Sequence, residues 1–215
     1  TWCLVGSEMC IRDRFSFIDT MGRYNFANQK NVILWNLVKF AETLLPLIAD
    51  GKNGMQQAIN IVQAELHKFP SLFDGIYYNK MASKIGVFDF QNEPKDKDLI
   101  DDFLAILAEN HIDFTNGFRI LSKILQGQAC FYAESDRYLA WYEKWINRLE
   151  AQNKDLKEIA TKMDEVNPIL IPRNHIIADI IQKSVFENDY SEFHKFLLAS
   201  QNPFIEKTAY AKYYR

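Results

Sequence analysis

The side chains best equipped for chemistry are scattered along this chain rather than gathered. His67, His111, His175 and His194 lie too far apart for a zinc site built from neighbouring residues, and Cys130 has no base beside it in sequence to activate a thiolate. Asp96, Asp98, Asp101 and Asp102 crowd together, but a calcium loop needs glycine at its sixth position and glutamate at its twelfth, where this chain has Asp101 and Leu107. Carboxylates at a helix start are stabilised by the exposed amides and the dipole, by ~0.3 to 1 kcal/mol each, and Asp96 or Asp98 is read as such a cap. Gly51-Lys52-Asn53-Gly54 comes nearest to a phosphate-binding loop, yet Lys52 is followed by Asn53, no glycine stands five residues earlier and no strand pattern precedes it. Catalytic, cofactor-binding and metal-ligating residues are therefore all assigned as none.

Two motifs remain. Asp19-Thr-Met-Gly22-Arg23-Tyr24 has the chemistry of a tight turn: Gly22 supplies the backbone freedom, and Arg23 is expected to anchor the turn to a helix carbonyl or carboxylate. Asn167-Pro168-Ile-Leu-Ile-Pro172-Arg173-Asn174-His175 reads as a rigid extended connector held by its two prolines. Arg173 or Asn174 is placed to bond exposed groups at the start of the next helix.

The elements around these motifs are helical throughout. Ile33, Leu37, Phe40, Ala41, Leu44, Leu47 and Ile48 recur at helical spacing with Leu34, Val38 and Leu45 on an adjoining stripe, which predicts the most buried helix of the chain. Asn36, Lys39, Glu42 and Pro46 interrupt that stretch, so it is read as short of the ~20 apolar residues that span a bilayer. After the 50–54 loop a helix runs from Met55 with Ala58, Ile59, Val62, Leu66 and Phe69 inward, and Pro70 starts a second one in a kinked pair. The polar stretch 89–97 is a loop, followed by helices around Leu99 to Leu107 and over 114–125. The span 134–152 puts Tyr138, Trp141, Tyr142, Trp145 and Leu149 on one side and Arg137, Glu143, Lys144 and Arg148 on the other. Helices over 154–166, 173–186 and 191–199 close the chain. The fold class is all-α, an irregular multi-helix domain over 31–215 without an internal hinge.

A chain of 215 residues can bury a sizeable core, and a net charge of -3 gives no basic footprint for nucleic acid or anionic membrane. Three scattered cysteines without a C-x-x-C pair suit a reducing compartment, so cytoplasm is the expected location.

The segment from Phe15 to Ile48, with Gly22-Arg23-Tyr24 leading through Asn28-Gln29 into a Trp35-Asn36-Leu37 helix, resembles the selenoprotein O family of pseudokinase-like protein adenylyltransferases. The Asn-Pro and Pro-Arg-Asn-His connector, the Ala-Trp-Tyr-Glu-Lys-Trp helix and Asp189-Tyr-Ser-Glu-Phe193 extend the resemblance over nearly all of 15–215, but only over the C-terminal half of the family's pattern. It implies the helical part of a protein-kinase-like fold in an enzyme that uses ATP and magnesium to transfer AMP to Ser, Thr or Tyr hydroxyls of protein substrates. The family's ATP-binding, catalytic and metal-binding residues lie before the position matching Phe15, so the chain is expected to bind neither cofactor, to be inactive alone and to lack its N-terminal partner half. Asp19, Gly22, Arg23 and Tyr24 match the segment that follows the metal-binding loop, which implies a place near the protein substrate. The family's cysteine or selenocysteine near the C-terminus has no counterpart in the tail 210–215.

Residues 1–14 fall outside the resemblance. Their Cys-Leu-Val-Gly-Ser-Glu-Met-Cys-Ile-Arg-Asp run resembles a translated sequencing adapter and is set aside from fold reasoning, while 15–30 is expected to be an extended arm. Helices separated from a packing partner are further expected to leave an apolar patch near 15–40. The alternative function is a non-catalytic helical module for protein interaction.

Overall fold

A computed structural model describes residues 19–49, 51, 54–127 and 136–214. The segment 1–14, all three cysteines, Lys52 and Asn53 lie outside the described residues. Among those described there are nine α-helices and no strand: α1 Gln29–Ile48, α2 Gly54–Leu66, α3 Phe69–Lys84, α4 Pro94–Glu109, α5 Phe114–Leu125, α6 Asp136–Glu150, α7 Leu156–Val166, α8 Asn174–Phe186 and α9 Ser191–Ser200. The fold is all-α. Single 3-10 segments, Phe26–Asn28 and Thr208–Tyr213, precede α1 and follow α9.

The chain divides into two compact units, with the division inside α3 between Asn79 and Lys80. The sequence pattern predicts one domain over 31–215, and a helix that continues through the division leaves no composition change to reveal it.

In the first unit α1 packs along α2. Lys30 meets the carboxylate of Asp74 at 2.6 and 2.7 Å, tying the start of α1 to α3. The expectation that α1 is the most buried helix is overturned: none of its twenty residues is buried. One side rests half-buried on its neighbours, while Ile33, Trp35, Phe40, Leu47 and Ile48 face outward. Across the described part of this unit only Gly54 and Ala58 are buried, so its apolar stripes outnumber the surfaces available to cover them. The apolar exposure expected over 15–40 is present at Met21, Tyr24, Ile33, Trp35 and Phe40 and extends past it. Phe26–Ile48, 23 residues long and containing an 18-residue window of mean hydropathy 1.3, is also long and apolar enough to cross a membrane by length and composition, correcting the reading that it falls short. Its polar residues are averaged out by the leucines and isoleucines around them. The arm expected over 15–30 is not extended where described: a turn and a 3-10 segment lead straight into α1.

The second unit has its own core. α3 stops at a glycine that the sequence pattern passes over. Gly86 sits at φ +84°, its amide bonds Ser83 O at 3.2 Å, and the Val87 amide bonds Ala82 O at 2.9 Å, closing the helix end in a Schellman turn. α4 begins earlier than its aspartates suggest, because Pro94 has the φ of a first helical turn and no amide to leave unpaired. Asp96 is thus inside the helix and buried, and its carboxylate accepts from Arg148 Nε at 2.7 Å instead of capping. α4 packs against α6 and α5 against α7. The aromatic side predicted for α6 faces inward, with Tyr138, Trp141, Trp145 and Leu149 buried. The Trp141 indole donates to Leu99 O at 2.8 Å and the Trp145 indole to Ile85 O at 2.7 Å, so each buried N–H is satisfied. A further cluster gathers Ile169 and Leu170, Ile176 and Ile180 of α8, Phe196 and Ala199 of α9, and Tyr213.

Candidate functional site

The turn before α1 is built around Asp19. Its two carboxylate oxygens accept from the amides of Arg23 at 2.8 Å and Tyr24 at 2.9 Å, and its carbonyl accepts from the Gly22 amide at 3.1 Å. Gly22 has φ +64°, the left-handed conformation that makes glycine the apt residue at this bend. Asparagines continue the lattice. Asn25 Oδ1 accepts from the Asn28 amide at 2.8 Å, Asn28 Nδ2 donates to Arg23 O at 2.6 Å, and Asn31 Nδ2 donates to Asn28 Oδ1 at 3.0 Å. Arg23 itself departs from the sequence reading. Its guanidinium lies 4.5 Å from the centre of the Trp35 ring and 5.6 Å from that of Tyr24, so the π face of an indole holds it in place of a carbonyl or carboxylate. No carboxylate pairs with it among the described residues. Tyr24 is 57% exposed. The turn therefore presents a cation held on an indole and a phenol to the outside, groups that suit binding of a polar partner, while the Asp19 carboxylate is taken up by the turn's own amides.

The connector belongs to the second unit and is a staple. Asn167 is 1% exposed. Its Nδ2 donates to Lys84 O at 2.8 Å, its Oδ1 accepts from Lys84 Nζ at 3.2 Å, and its carbonyl accepts from Arg119 at 3.1 Å. Burial holds the Lys84 ammonium below the ordinary lysine value. Extended backbone at Asn167 before Pro168 ends α7, as the sequence predicts. The amides of Ile169 and Leu170 then share Pro203 O at 2.8 and 3.2 Å.

Arg173 stands at the N-cap of α8 without capping it. Its guanidinium reaches across to Asp113, with both ends paired at 2.7 and 2.9 Å and both side chains buried. Asp113 at the same time caps α5, accepting from the Asn116 amide at 2.8 Å. Pro172, Asn174 and His175 are exposed. Trp35, Lys84, Asp113 and Arg119 complete the two motifs and escape sequence reading, since Lys84 and Asp113 lie 83 and 60 residues from their partners.

Of the 50–54 loop, Gly51 is described at φ +69° and Gly54 starts α2. Among the described residues no three His, Cys, Asp or Glu side chains come together as a metal site would need.

The sequence model of the family described as Protein adenylyltransferase SelO matches residues 14–201. The chain is 36% identical over 205 residues to the protein nucleotidyltransferase YdiU of Rhodopseudomonas palustris strain HaA2, covering 93% of this chain and 41% of that protein. It is 36% identical over 201 residues to the YdiU of Halalkalibacterium halodurans, covering 92% and 40%, and 34% identical over 200 residues to that of Bacillus cereus strain AH820, covering 93% and 40%. The chain thus spans about two fifths of the length of these relatives.

Proposed function

We propose, on the premise that the chain belongs to the SelO family of protein adenylyltransferases, that it is the helical part of a longer cytoplasmic enzyme that moves AMP from ATP onto Ser, Thr or Tyr hydroxyls of other proteins. The observation that carries this reading is the family match over 14–201, alongside relatives described as protein nucleotidyltransferases. In that reaction the acceptor oxygen forms a bond to the α-phosphorus, the bond to the β-phosphate bridging oxygen breaks, pyrophosphate leaves and the hydroxyl proton passes to a base. ATP supplies the transferable group, and magnesium offsets charge on the phosphates.

We place the nucleotide, the metal and the base outside this chain, in the three fifths of the relatives' length that it does not span, in keeping with a kinase-like catalytic half. The share of the relatives' length that the chain spans supports that division. In this reading the chain's own contribution is positional: Arg23, fixed on Trp35, and the exposed Tyr24 face the protein acceptor, while Asn167 and Arg173 hold the second unit in shape.

Labelled ATP, magnesium and a generic protein acceptor test this. The isolated chain transfers no label, whereas a chimera in which it replaces the matching part of the Halalkalibacterium halodurans relative transfers label to the acceptor. Label transferred by the isolated chain overturns the division. A folded chimera that transfers none, beside an unmodified relative that does, overturns the contribution.

A further inference from the structure

Ile33, Leu37, Phe40, Leu44 and Leu47 follow one another at spacings of four, three, four and three, the heptad rhythm of a helix that meets another helix along a seam. Leu37 and Leu44 are half-buried at the edge of the packed side, and Ile33, Phe40 and Leu47 stand outward beside them, Phe40 61% and Leu47 82% exposed. The seam runs for about 20 Å at the helical rise. Charged groups keep clear of it. Lys39 and Glu42 pair with one another at 2.8 Å, and by helical rotation they and Asn31 fall outside the seam, while Asn36 flanks it beside Ile33 and Phe40.

Three occupants fit an exposed apolar helix: lipid, a second copy of the chain, or the rest of a longer protein. A bilayer would have to accept the Lys39–Glu42 pair near the middle of the candidate span, an expensive place for charge. A second copy would leave most of the unit uncovered. The described part of the first unit buries only Gly54 and Ala58, and Met55 and Ile61 of α2 and Leu72 and Ile76 of α3 are exposed as well as α1. A unit without a core of its own requires a large partner. About three fifths of the length of the relatives lies outside this chain.

We infer that the α1 seam is an internal interface of the longer protein: an apolar helix from the part absent here packs in cis along Ile33, Leu37, Phe40, Leu44 and Leu47. This rests on the reading of the chain as part of a longer adenylyltransferase and adds where the two parts join.

The seam makes a substitution context-dependent. In the isolated chain the double variant Phe40→Asp, Leu47→Asp leaves the melting temperature unchanged and lowers binding of an apolar dye several-fold. In the chimera with the Halalkalibacterium halodurans relative it lowers the melting temperature by roughly 5 °C or more, and Glu42→Gln, exposed on the far side of the helix from the seam, does not. If the chimera fails to fold, the relative lacking its matching part is added to the isolated chain and sedimented. A one-to-one complex lost with the double variant supports the inference, and no complex overturns it. Equal melting temperatures of chimera and double-variant chimera also overturn it. So do an isolated chain that is a dimer dissociated by the double variant, and binding to phosphatidylcholine–phosphatidylglycerol vesicles that the double variant removes. A folded chimera that is seam-dependent but transfers no AMP sinks the proposed activity alone, and an active chimera indifferent to the seam sinks this inference alone.

Discussion

Arg173, paired with Asp113, shows how one residue in a motif can be buried while its immediate neighbours are exposed. Both are buried, their pairing is bidentate, and Asp113 spends a further acceptor on the α5 cap. Removing the cation leaves a carboxylate in a dry site, so Arg173→Ala is expected to destabilise the chain by about 3 to 5 kcal/mol in urea unfolding. Arg173→Ala combined with Asp113→Asn recovers part of that loss, because the stranded charge is gone while a cap acceptor remains. Additive losses would show that the pair is not coupled. The sequence made this connector legible as rigid and as ending at a helix, since proline and its neighbour have few backbone choices. It left the partner of Arg173 hidden, because nothing local marks a contact across 60 residues. Arg23 is the reverse case: the turn around it is readable from Asp19 and Gly22, but an indole twelve positions on carries no signature of a cation resting on it.

Helical periodicity predicts burial where an element's apolar side finds cover and fails where it finds none. The inward aromatics of α6, the ends of α7 and α8 and the start of α9 follow from helical periodicity and proline placement. For α1 the same periodicity gave a helix but the wrong burial, because apolarity records what a surface is suited to meet and not what is there to meet it. Gly86 escapes sequence reading because one glycine between apolar residues carries little signal. A Cβ there would lie 2.8 Å from Ile159 Cγ2 and 2.9 Å from Met163 Sδ, besides straining a backbone at φ +84°. Gly86→Ala should therefore destabilise the chain by about 3 kcal/mol, read from denaturant midpoints. A neutral result would mean that α3 can end without the left-handed residue.

At the scale of the whole molecule, acid is expected to loosen the closing segment. Glu192 on α9 accepts from Lys212, Lys195 and Tyr213, and the Lys212 ammonium, foremost among these, pulls its carboxyl down from 4.5 to about 2. A carboxyl depressed on folding stabilises the folded state fully above its unfolded value and loses that contribution as pH falls from about 4.5 towards 2. Melting curves of the parent chain and Glu192→Gln should converge across that window, the parent being the more stable above it. A constant gap down to pH 2 would remove Glu192 from the account. The two units differ in the same sense as the motifs they carry. The second is closed by its own core and staples, and the first presents surface suited to something larger.

The indole beneath Arg23 also gives the chain an internal optical probe. Trp141 and Trp145 are sealed inside the second unit, whereas Trp35 is half open and lies against a guanidinium. Once the fourth tryptophan is removed as Trp2→Phe, collisional quenchers reach Trp35 while sparing the other two, so the quenchable part of the tryptophan emission follows the state of the Asp19 to Tyr24 turn. A macromolecule that settles over that turn would announce itself as a loss of quenching, with no label attached.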